Sequence, residues 1–287
     1  MKIRIGTRKS QLATAQTKMA ENALKKAFPE IETEIVHIMT KGDKILDKPL
    51  NALGGKGVFT GEIERALLSG KIDMAVHSAK DLPVLLAEGL EISAVLPRGN
   101  YRDVLVTLPD FEADKSKKMF VGTGSIRRRK GLGKLYPNAV FGDIRGNVDT
   151  RVRKLKNGEF DGIILAAAGL ERLGISEGNG LKFKPFEYTD FLPAPCQGII
   201  AIECVRNSKA AEIVQKISHS DTEPCFKAER EIIRLTGGDC STPVGAYSFV
   251  SNGVISLYLS KNMDRIISGR KLSSEAESLA RELVSQL

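Results

Sequence analysis

Between Phe120 and Arg129 the chain reads FVGTGSIRRR, an apolar run followed by a Gly/Ser turn and three arginines. The run predicts a buried strand over Phe120–Thr123, and the residues after the turn predict a helix over Ile126–Tyr136. Backbone N–H groups at the start of such a helix, with the helix dipole behind them, form a site for an anion. This stretch therefore indicates an α/β unit and a place in it where a negatively charged group binds.

The same alternation of strand and helix patterns runs through the first two thirds of the chain. Strands are predicted at Lys2–Ile5, Thr33–Ile38, Met74–His77, Ile92–Leu96, Val104–Thr107, Phe120–Thr123, Ala139–Phe141 and Gly162–Leu165, and helices at Gln11–Phe28, Phe59–Leu68, Ile126–Tyr136 and Val148–Lys156. Repeated strand–helix–strand units predict α/β layers around a mostly parallel sheet, in which ligands bind beyond the carboxyl ends of the strands. The loops expected at those ends are Gly6–Ser10, Ser78–Asp81, Gly122–Ser125 and Asp143–Asn147.

Two breaks suggest how the chain divides. They lie at Pro97–Asn100 and Phe191–Gly198, and a strand predicted at Ile199–Cys204 could return to the first unit. Two such crossings are what a hinged cleft between two domains requires. A helix at Pro224–Leu235, two short strands and a final helix then predict a small α+β domain. The expected domains are residues 1–97 with 198–217, residues 101–193, and residues 219–287.

The composition is that of a globular protein. The chain has 287 residues, 42% apolar and 27% charged. No window approaches the ~20 consecutive apolar residues of a membrane span, and no apolar signal region follows Met1. We therefore expect a cytoplasmic protein with no membrane partner. The four cysteines form no CxxC pair and there are only three histidines, so neither a disulfide framework nor a metal centre is expected.

The positive charge is concentrated in one segment. Between Ser125 and Lys156 there are ten cations and two anions, so this segment alone carries the net charge of +8 of the whole chain. One interpretation is a solvated helix face, and another is a polyanion site, because the Arg127–Arg129 cluster suits bidentate recognition of carboxylate or phosphate. A nucleic-acid-binding protein that uses this segment on phosphates remains an alternative.

Two further motifs allow a functional and a structural interpretation. In Val76–Pro83, Asp81 either caps a short helix or is a carboxylate held beside cations that can stabilise a cationic intermediate. The glycine-rich Gly54–Gly57 lacks the spacing of a nucleotide phosphate loop. It is either a mobile loop or a lid that presents Lys56 to a ligand. A third motif, Cys240 on a Gly-rich turn, is a weak signal of a reactive thiol.

In order along the chain, these motifs resemble the porphobilinogen deaminase family. The matching segments are Ile5–Ser10, Gly54–Phe59, Ala75–Pro83, Gly122–Arg128, Ile144–Val148, Ile164–Gly174 and Gly238–Cys240. The resemblance implies a transferase that joins four porphobilinogen molecules head to tail, with loss of ammonia, into linear hydroxymethylbilane. It also implies two domains similar to periplasmic binding proteins around a cleft, plus a small α+β C-terminal domain, and a monomer that does not bind nucleic acid.

The resemblance also implies roles for individual residues. Asp81 matches the family's catalytic carboxylate, and Cys240 matches the cysteine that carries a dipyrromethane cofactor through a thioether. Lys56 and Phe59 fall in the family's active-site loop. The residues expected to bind cofactor and substrate are Arg8, Ser78, Lys80, Thr123, Ser125, Arg127, Arg128, Arg145, Arg151, Arg172 and Gln197. Since each porphobilinogen adds an acetate and a propionate, a growing product requires many cations.

Three positions depart from the family's pattern. Asp239 stands where a glycine is usual, so a carboxylate adjoins Cys240. Gly124 replaces a serine before the arginine pair, and Cys196 replaces the first glycine of a Gly-Gln-Gly hinge. We expect the cofactor to be attached nonetheless, and we expect Cys196 to alter the hinge or to add an oxidisable thiol.

Overall fold

The fold is described from a computed structural model that covers residues 1–40, 60–237 and 242–287. In chain order the strands are β1 (Lys2–Thr7), β2 (Glu32–His37), β3 (Met74–Ser78), β4 (Leu90–Val95), β5 (Asp103–Thr107), β6 (Met119–Gly122), β7 (Ala139–Gly142), β8 (Gly162–Ala166), β9 (Lys182–Pro185), β10 (Ile200–Val205), β11 (Val244–Ser251), β12 (Val254–Lys261) and β13 (Ile267–Leu272). The helices are α1 (Gln11–Ala27), α2 (Gly61–Leu68), α3 (Ile126–Leu135), α4 (Val148–Lys156), α5 (Ala167–Arg172), α6 (Lys209–Gln215), α7 (Thr222–Leu235) and α8 (Ala276–Val284).

The strands form two five-stranded sheets and one three-stranded sheet. The first sheet has the order β2-β1-β3-β10-β4, and the second has the order β7-β6-β8-β5-β9. In each, one inner strand runs antiparallel to both neighbours, β10 in the first and β5 in the second. The predicted α/β architecture with mostly parallel sheets is therefore confirmed. The strand expected to return to the first unit is β10, which pairs with β3 and β4.

The inner strands are buried on both faces, as expected of sheets that helices cover on both sides. All residues of β5 and the first five of β10 are buried. Helix α1 packs on the first sheet through Thr17, Ala20 and Leu24, which recur at helical spacing. Ser10 caps α1 by accepting a hydrogen bond from the Ala13 N–H at 3.2 Å, and this cap fixes the loop that leaves β1.

The C-terminal unit is a three-stranded antiparallel sheet, β11-β12-β13, with α7 and α8 packed against it. A small α+β domain was expected here, and the structure confirms it with one more strand than the sequence pattern indicated. That strand, β13, alternates buried and exposed residues at the edge of the sheet. Its Gly269 lies so close to α8 that a Cβ there would be 2.8 Å from the Leu279 side chain.

The two crossings between the sheets touch each other. The Gly99 N–H donates to the Gly198 carbonyl at 3.1 Å. Gly198 has a φ of +87°, and a Cβ on it would lie 2.6 Å from the Gly99 oxygen, so glycine is required there. Within the described ranges, no helix combines the length and the apolar character that a bilayer crossing needs.

Candidate active site

The candidate site lies where the carboxyl ends of strands in both five-stranded sheets meet the crossing segments. In the first sheet, β3 ends at Ser78 and a 3₁₀ turn at Ala79–Asp81 follows. In the second, β6 leads through Thr123 into α3, whose N-cap is Ser125. Asp103, the first residue of β5, contacts Arg127 of α3 and Gln197 of the second crossing segment.

Arg127 and Arg128 form ion pairs with the same carboxylate. The Arg127 Nη2 is 2.7 Å from Asp103 Oδ2, and the Arg128 Nη2 and Nε are 2.7 and 3.0 Å from Asp103 Oδ1. Each guanidinium also donates to a backbone carbonyl, that of Leu192 for Arg127 and that of Ile164 for Arg128. Since the two arginines are only 6% and 8% exposed, they do not lie on a solvated helix face.

Asp103 is completely buried. Burial alone would raise its pKa, but the charges of Arg127, Arg128 and Lys80 outweigh that effect and lower the pKa to about 2. The carboxylate is therefore charged at neutral pH and fixes both guanidinium planes. This residue was not among those expected from the sequence.

Lys80 and Gln197 connect the two sheets. The half-buried Lys80 Nζ donates to Gln197 Oε1 at 3.2 Å. The Gln197 Nε2 donates to the Tyr101 carbonyl at 2.8 Å and to Asp103 Oδ1 at 3.2 Å. Burial lowers the pKa of Lys80 to about 8, with a further lowering by the Arg128 charge and an opposing effect of Asp81. The structure thus brings Lys80, Gln197 and the arginine pair into one network.

Asp81 is the last residue of the 3₁₀ turn, and its side chain is exposed. It does not cap a helix N-terminus, which was the structural alternative. With the described residues it makes no hydrogen bond or ion pair, but its charge acts on both Lys80 and Arg151. A carboxylate thus lies on the accessible side of a group of cations.

Two other expected arginines are held by carbonyl oxygens. The Arg151 Nε donates to the Gly146 carbonyl at 2.8 Å, and the Arg172 Nη2 donates to the Gly198 carbonyl at 2.6 Å. Burial lowers the pKa of both arginines. For Arg151 the nearby charges of Arg128 and Arg145 lower it further, to about 10. Because carbonyl oxygens are neutral, these side chains contribute positive charge that no carboxylate cancels at the contact.

The expected hydroxyl residues are engaged locally. The Gln16 Nε2 donates to Ser78 Oγ at 2.8 Å. The Ser125 N–H donates to Thr123 Oγ1 at 3.2 Å, and Ser125 Oγ accepts from the Arg128 N–H at 3.4 Å. Thr123 and Ser125 therefore shape the turn that delivers Arg128.

Two more expected arginines lie in loops at the strand ends. Arg8 follows β1, and Arg145 lies between β7 and α4. Both are half-buried. The remaining expected residues, Lys56, Phe59 and Cys240, lie outside the described residues.

Of the departures from the family pattern, Cys196 and Gly124 can be located. Cys196 is fully buried and has a φ of +63°, a left-handed conformation that explains why glycine is usual there. Burial raises the pKa of its thiol, so it is not a poised thiolate. A Cβ on Gly124 would have no neighbour closer than 3.8 Å, so no steric reason demands glycine. Asp239 lies outside the described residues.

Asp103 was missed although the sequence carries a signal for it. An aspartate opens the otherwise apolar strand DVLVT, whose residues are all buried. A buried carboxylate requires cationic or hydrogen-bonding partners, so Asp103 could have been matched to the nearby arginines. Glu229 on α7 is similar: it is completely buried and pairs with Arg98 at 2.6 Å.

Comparison with known proteins places the chain in a family. A family model described as "Porphobilinogen deaminase, dipyromethane cofactor binding domain" matches residues 3–213. The chain is 43% identical to the probable porphobilinogen deaminase of Picrophilus torridus, over 92% of this chain and 91% of that protein. It is 42% identical to the porphobilinogen deaminase of Lachnospira eligens, over 100% of this chain and 99% of that protein.

The solved structures that match have low sequence identity and TM-scores below 0.5. A substrate-binding protein of an amino acid ABC transporter is 15% identical, with a TM-score of 0.41 over 83% of this chain and 95% of that one. The periplasmic VFT2 domain of Bordetella pertussis BvgS is 16% identical, with a TM-score of 0.45 over 80% of this chain and 91% of that one. It is the family model and the full-length relatives that identify the protein: the chain belongs to the porphobilinogen deaminase family.

Proposed function

We propose that this protein condenses four porphobilinogen molecules head to tail into linear hydroxymethylbilane and releases one ammonia with each addition. In this proposal it is a transferase that acts as a cytoplasmic monomer and starts from a dipyrromethane cofactor attached to Cys240. The observation that carries the proposal is the exposed Asp81 beside a group of cations.

The charges near Asp81 suit a ligand with several carboxylates. The Asp81 charge acts on Lys80 and Arg151. Lys80 is in turn affected by the charges of Arg127 and Arg128, which share the single carboxylate of Asp103, so cations exceed carboxylates in this group. Every porphobilinogen brings an acetate and a propionate, and guanidinium groups bind carboxylates in a bidentate manner. These cations therefore fit both the cofactor and the lengthening product, and Arg145, whose charge acts on Arg151, extends the same positive region. We assign Arg8 and Arg172 to the same binding set from the motif resemblance.

When bound, the cofactor supplies the pyrrole carbon to which the first substrate is joined. Asp81 acts electrostatically in this reaction. Loss of ammonia leaves positive charge on the incoming pyrrole, and a carboxylate beside it lowers the energy of that charge. Lys80 and Arg151, whose pKa values reflect the Asp81 charge, would hold substrate carboxylates on either side.

We assign attachment of the cofactor to Cys240. It follows the end of α7 at Leu235 by five residues. The described cysteines Cys196, Cys204 and Cys225 are all buried, and burial raises the pKa of Cys204 to about 12 and that of Cys225 to about 11. Their thiols are therefore poor nucleophiles, which supports Cys240 as the anchor.

A nucleic-acid-binding function is not supported. The most compact part of the basic segment is Arg127 and Arg128, which are buried and paired with Asp103. Buried guanidiniums cannot track a phosphate backbone, which requires exposed cations along one face.

The activity is tested by incubating the purified protein with porphobilinogen and measuring ammonia and linear tetrapyrrole. We expect four molecules of ammonia per hydroxymethylbilane. In parallel, a duplex DNA titration from low to high salt examines the rejected alternative. Absence of ammonia release, together with salt-dependent DNA binding, would overturn the proposal.

A further inference from the structure

Helix α7 contacts the segment that follows Asp81 through two residues one turn apart. Phe226 is buried in an apolar cluster with Ala79 and Leu82, which flank Lys80 and Asp81 in the chain. One turn later, Arg230 reaches the same segment with its guanidinium. Helix α7 of the C-terminal domain thus contacts the residues on both sides of Asp81 in the chain.

Arg230 binds backbone alone. Its Nη2 donates to the carbonyls of Pro83 and Val84, the latter at 2.8 Å, and its Nη1 is 3.4 Å from the Leu82 carbonyl. With the described residues it forms no ion pair, and burial lowers its pKa. Burying a guanidinium without a carboxylate partner is costly, so three successive carbonyls are the compensation that the structure provides.

The helix that carries Arg230 is itself firmly held. The neighbouring Glu229 is fully buried and accepts from Arg98 at 2.6 and 3.2 Å, and from the Ser248 N–H at 2.9 Å. The same helix ends at Leu235, shortly before Cys240. It therefore links the segment after Asp81 to the stretch of chain that precedes Cys240 in the sequence.

We propose that Arg230 is a positioning residue, which fixes the Asp81 turn against α7 by clamping the carbonyls of Leu82, Pro83 and Val84. This inference rests on the proposed function. A displacement of about 1 Å at a reacting centre can cost about 10²-fold in rate. The clamp accordingly affects the rate of addition and leaves the binding of substrate carboxylates, which other cations perform, unchanged.

The test uses Arg230→Gln, Arg230→Lys and the control Arg234→Gln in the full-length protein. Arg234 lies one turn further along α7. Its side chain is 52% exposed, and its partner Glu231 keeps a second cation, Arg281. We expect Arg230→Gln to keep the cofactor mass and a KM within about twofold, while kcat falls roughly 10- to 100-fold. Arg230→Lys should recover part of kcat, because an ammonium can still donate to one or two carbonyls, and Arg234→Gln should match the wild type.

A double-mutant cycle with Asp81→Asn separates positioning from general stabilisation. If Arg230 acts through Asp81, Arg230→Gln should change kcat by less than about twofold in the Asp81→Asn background. An equal loss in both backgrounds, a raised KM with unchanged kcat, or a kcat like that of Arg234→Gln would overturn the inference. If Arg230→Gln does not fold, a wild-type kcat in Arg230→Lys would overturn it. If the proposed function is wrong, the wild type and Arg234→Gln also fail to release ammonia.

Discussion

The two five-stranded units share one topology but carry different charged side chains near their strand ends. Their sheets have equivalent strand orders and each places one antiparallel strand second from an edge. A serine caps the first helix of each, Ser10 in one and Ser125 in the other. The third strand of the first unit leads to the carboxylate of Asp81, whereas the second unit supplies Arg127, Arg128 and Arg172. Equivalent positions of the two units thus carry different side chains, a carboxylate in the first and guanidinium groups in the second.

The comparison also separates the two carboxylates of the site. Asp103 is buried and engages two guanidiniums and an amide. Asp81 is exposed and, among the described residues, has no such partner. Asp103 stabilises the second five-stranded unit, whereas Asp81 is available to a ligand. Removing the charge of Asp103 should therefore lower the free energy of unfolding, and removing that of Asp81 should lower the rate of ammonia release.

The largest expected effect is that of Asp103→Asn on stability. Removing one partner of a buried ion pair costs about 3–5 kcal/mol, and two arginines lose their counter-ion here. Urea unfolding should show this loss at neutral pH. The control is Asp143→Asn, because Asp143 pairs with Arg129 at the surface and should cost less than about 1 kcal/mol. Equal losses in the two variants would contradict the account.

The pH dependence of that difference follows from the pKa of Asp103, which is about 2 in the folded chain, below its ordinary value of 3.8. A carboxylate with a lowered pKa contributes stability above its unfolded pKa and loses it as the pH falls through the folded value. The difference between wild type and Asp103→Asn should therefore shrink between pH 4 and pH 2, provided that both are still folded. A constant difference would point to a steric effect.

Asp81→Asn should reduce kcat by about 10²–10³-fold, the range seen when one group that stabilises transition-state charge is removed. Its unfolding free energy should change by no more than about 0.5 kcal/mol, because the side chain is exposed. Ammonia release measures the first and urea unfolding the second. A variant with wild-type kcat would show that another residue stabilises the developing cation.

The smallest expected effect concerns Lys80, whose pKa is about 8. As the pH rises through this value, the site loses one positive charge, so KM for porphobilinogen should rise severalfold. The stability of the fold changes in the opposite direction. Burying the charged ammonium of Lys80 destabilises the folded state fully below pH 8, and this cost is relieved as the pH rises from 8 toward 10.5. In Lys80→Arg, KM should stay level over this range. A KM that rises equally in both would contradict this role.

The sequence was sufficient for the features that depend on local pattern. Strand β3, the turn at Asp81 and the Ser125-capped helix follow from apolar runs, glycines and cap residues. Strands β9 and β13 were missed because edge strands such as KFKP and ISGRKL contain exposed polar residues. The two similar α/β units leave no repeat in the sequence itself and were expected from the motif resemblance.

Contacts between residues distant in the chain were beyond pattern reasoning. Arg230 reaches Pro83 across 147 positions, and Gln197 reaches Asp103 across 94. Neither contact leaves a periodic or motif signal. The motif resemblance supplied the members of the site, and the structure shows which of them are held by carboxylates and which by carbonyls.

The central claim is that a thiol-anchored cofactor lies among these cations and faces Asp81. The intact mass of the protein, purified from cells that make porphobilinogen, tests it most directly. We predict a mass increase of two pyrrole units that is absent in Cys240→Ala, and on tryptic digestion it should map to residues 235–261, which contain no other cysteine. An unmodified wild-type mass, or an adduct that persists in Cys240→Ala, would contradict the account.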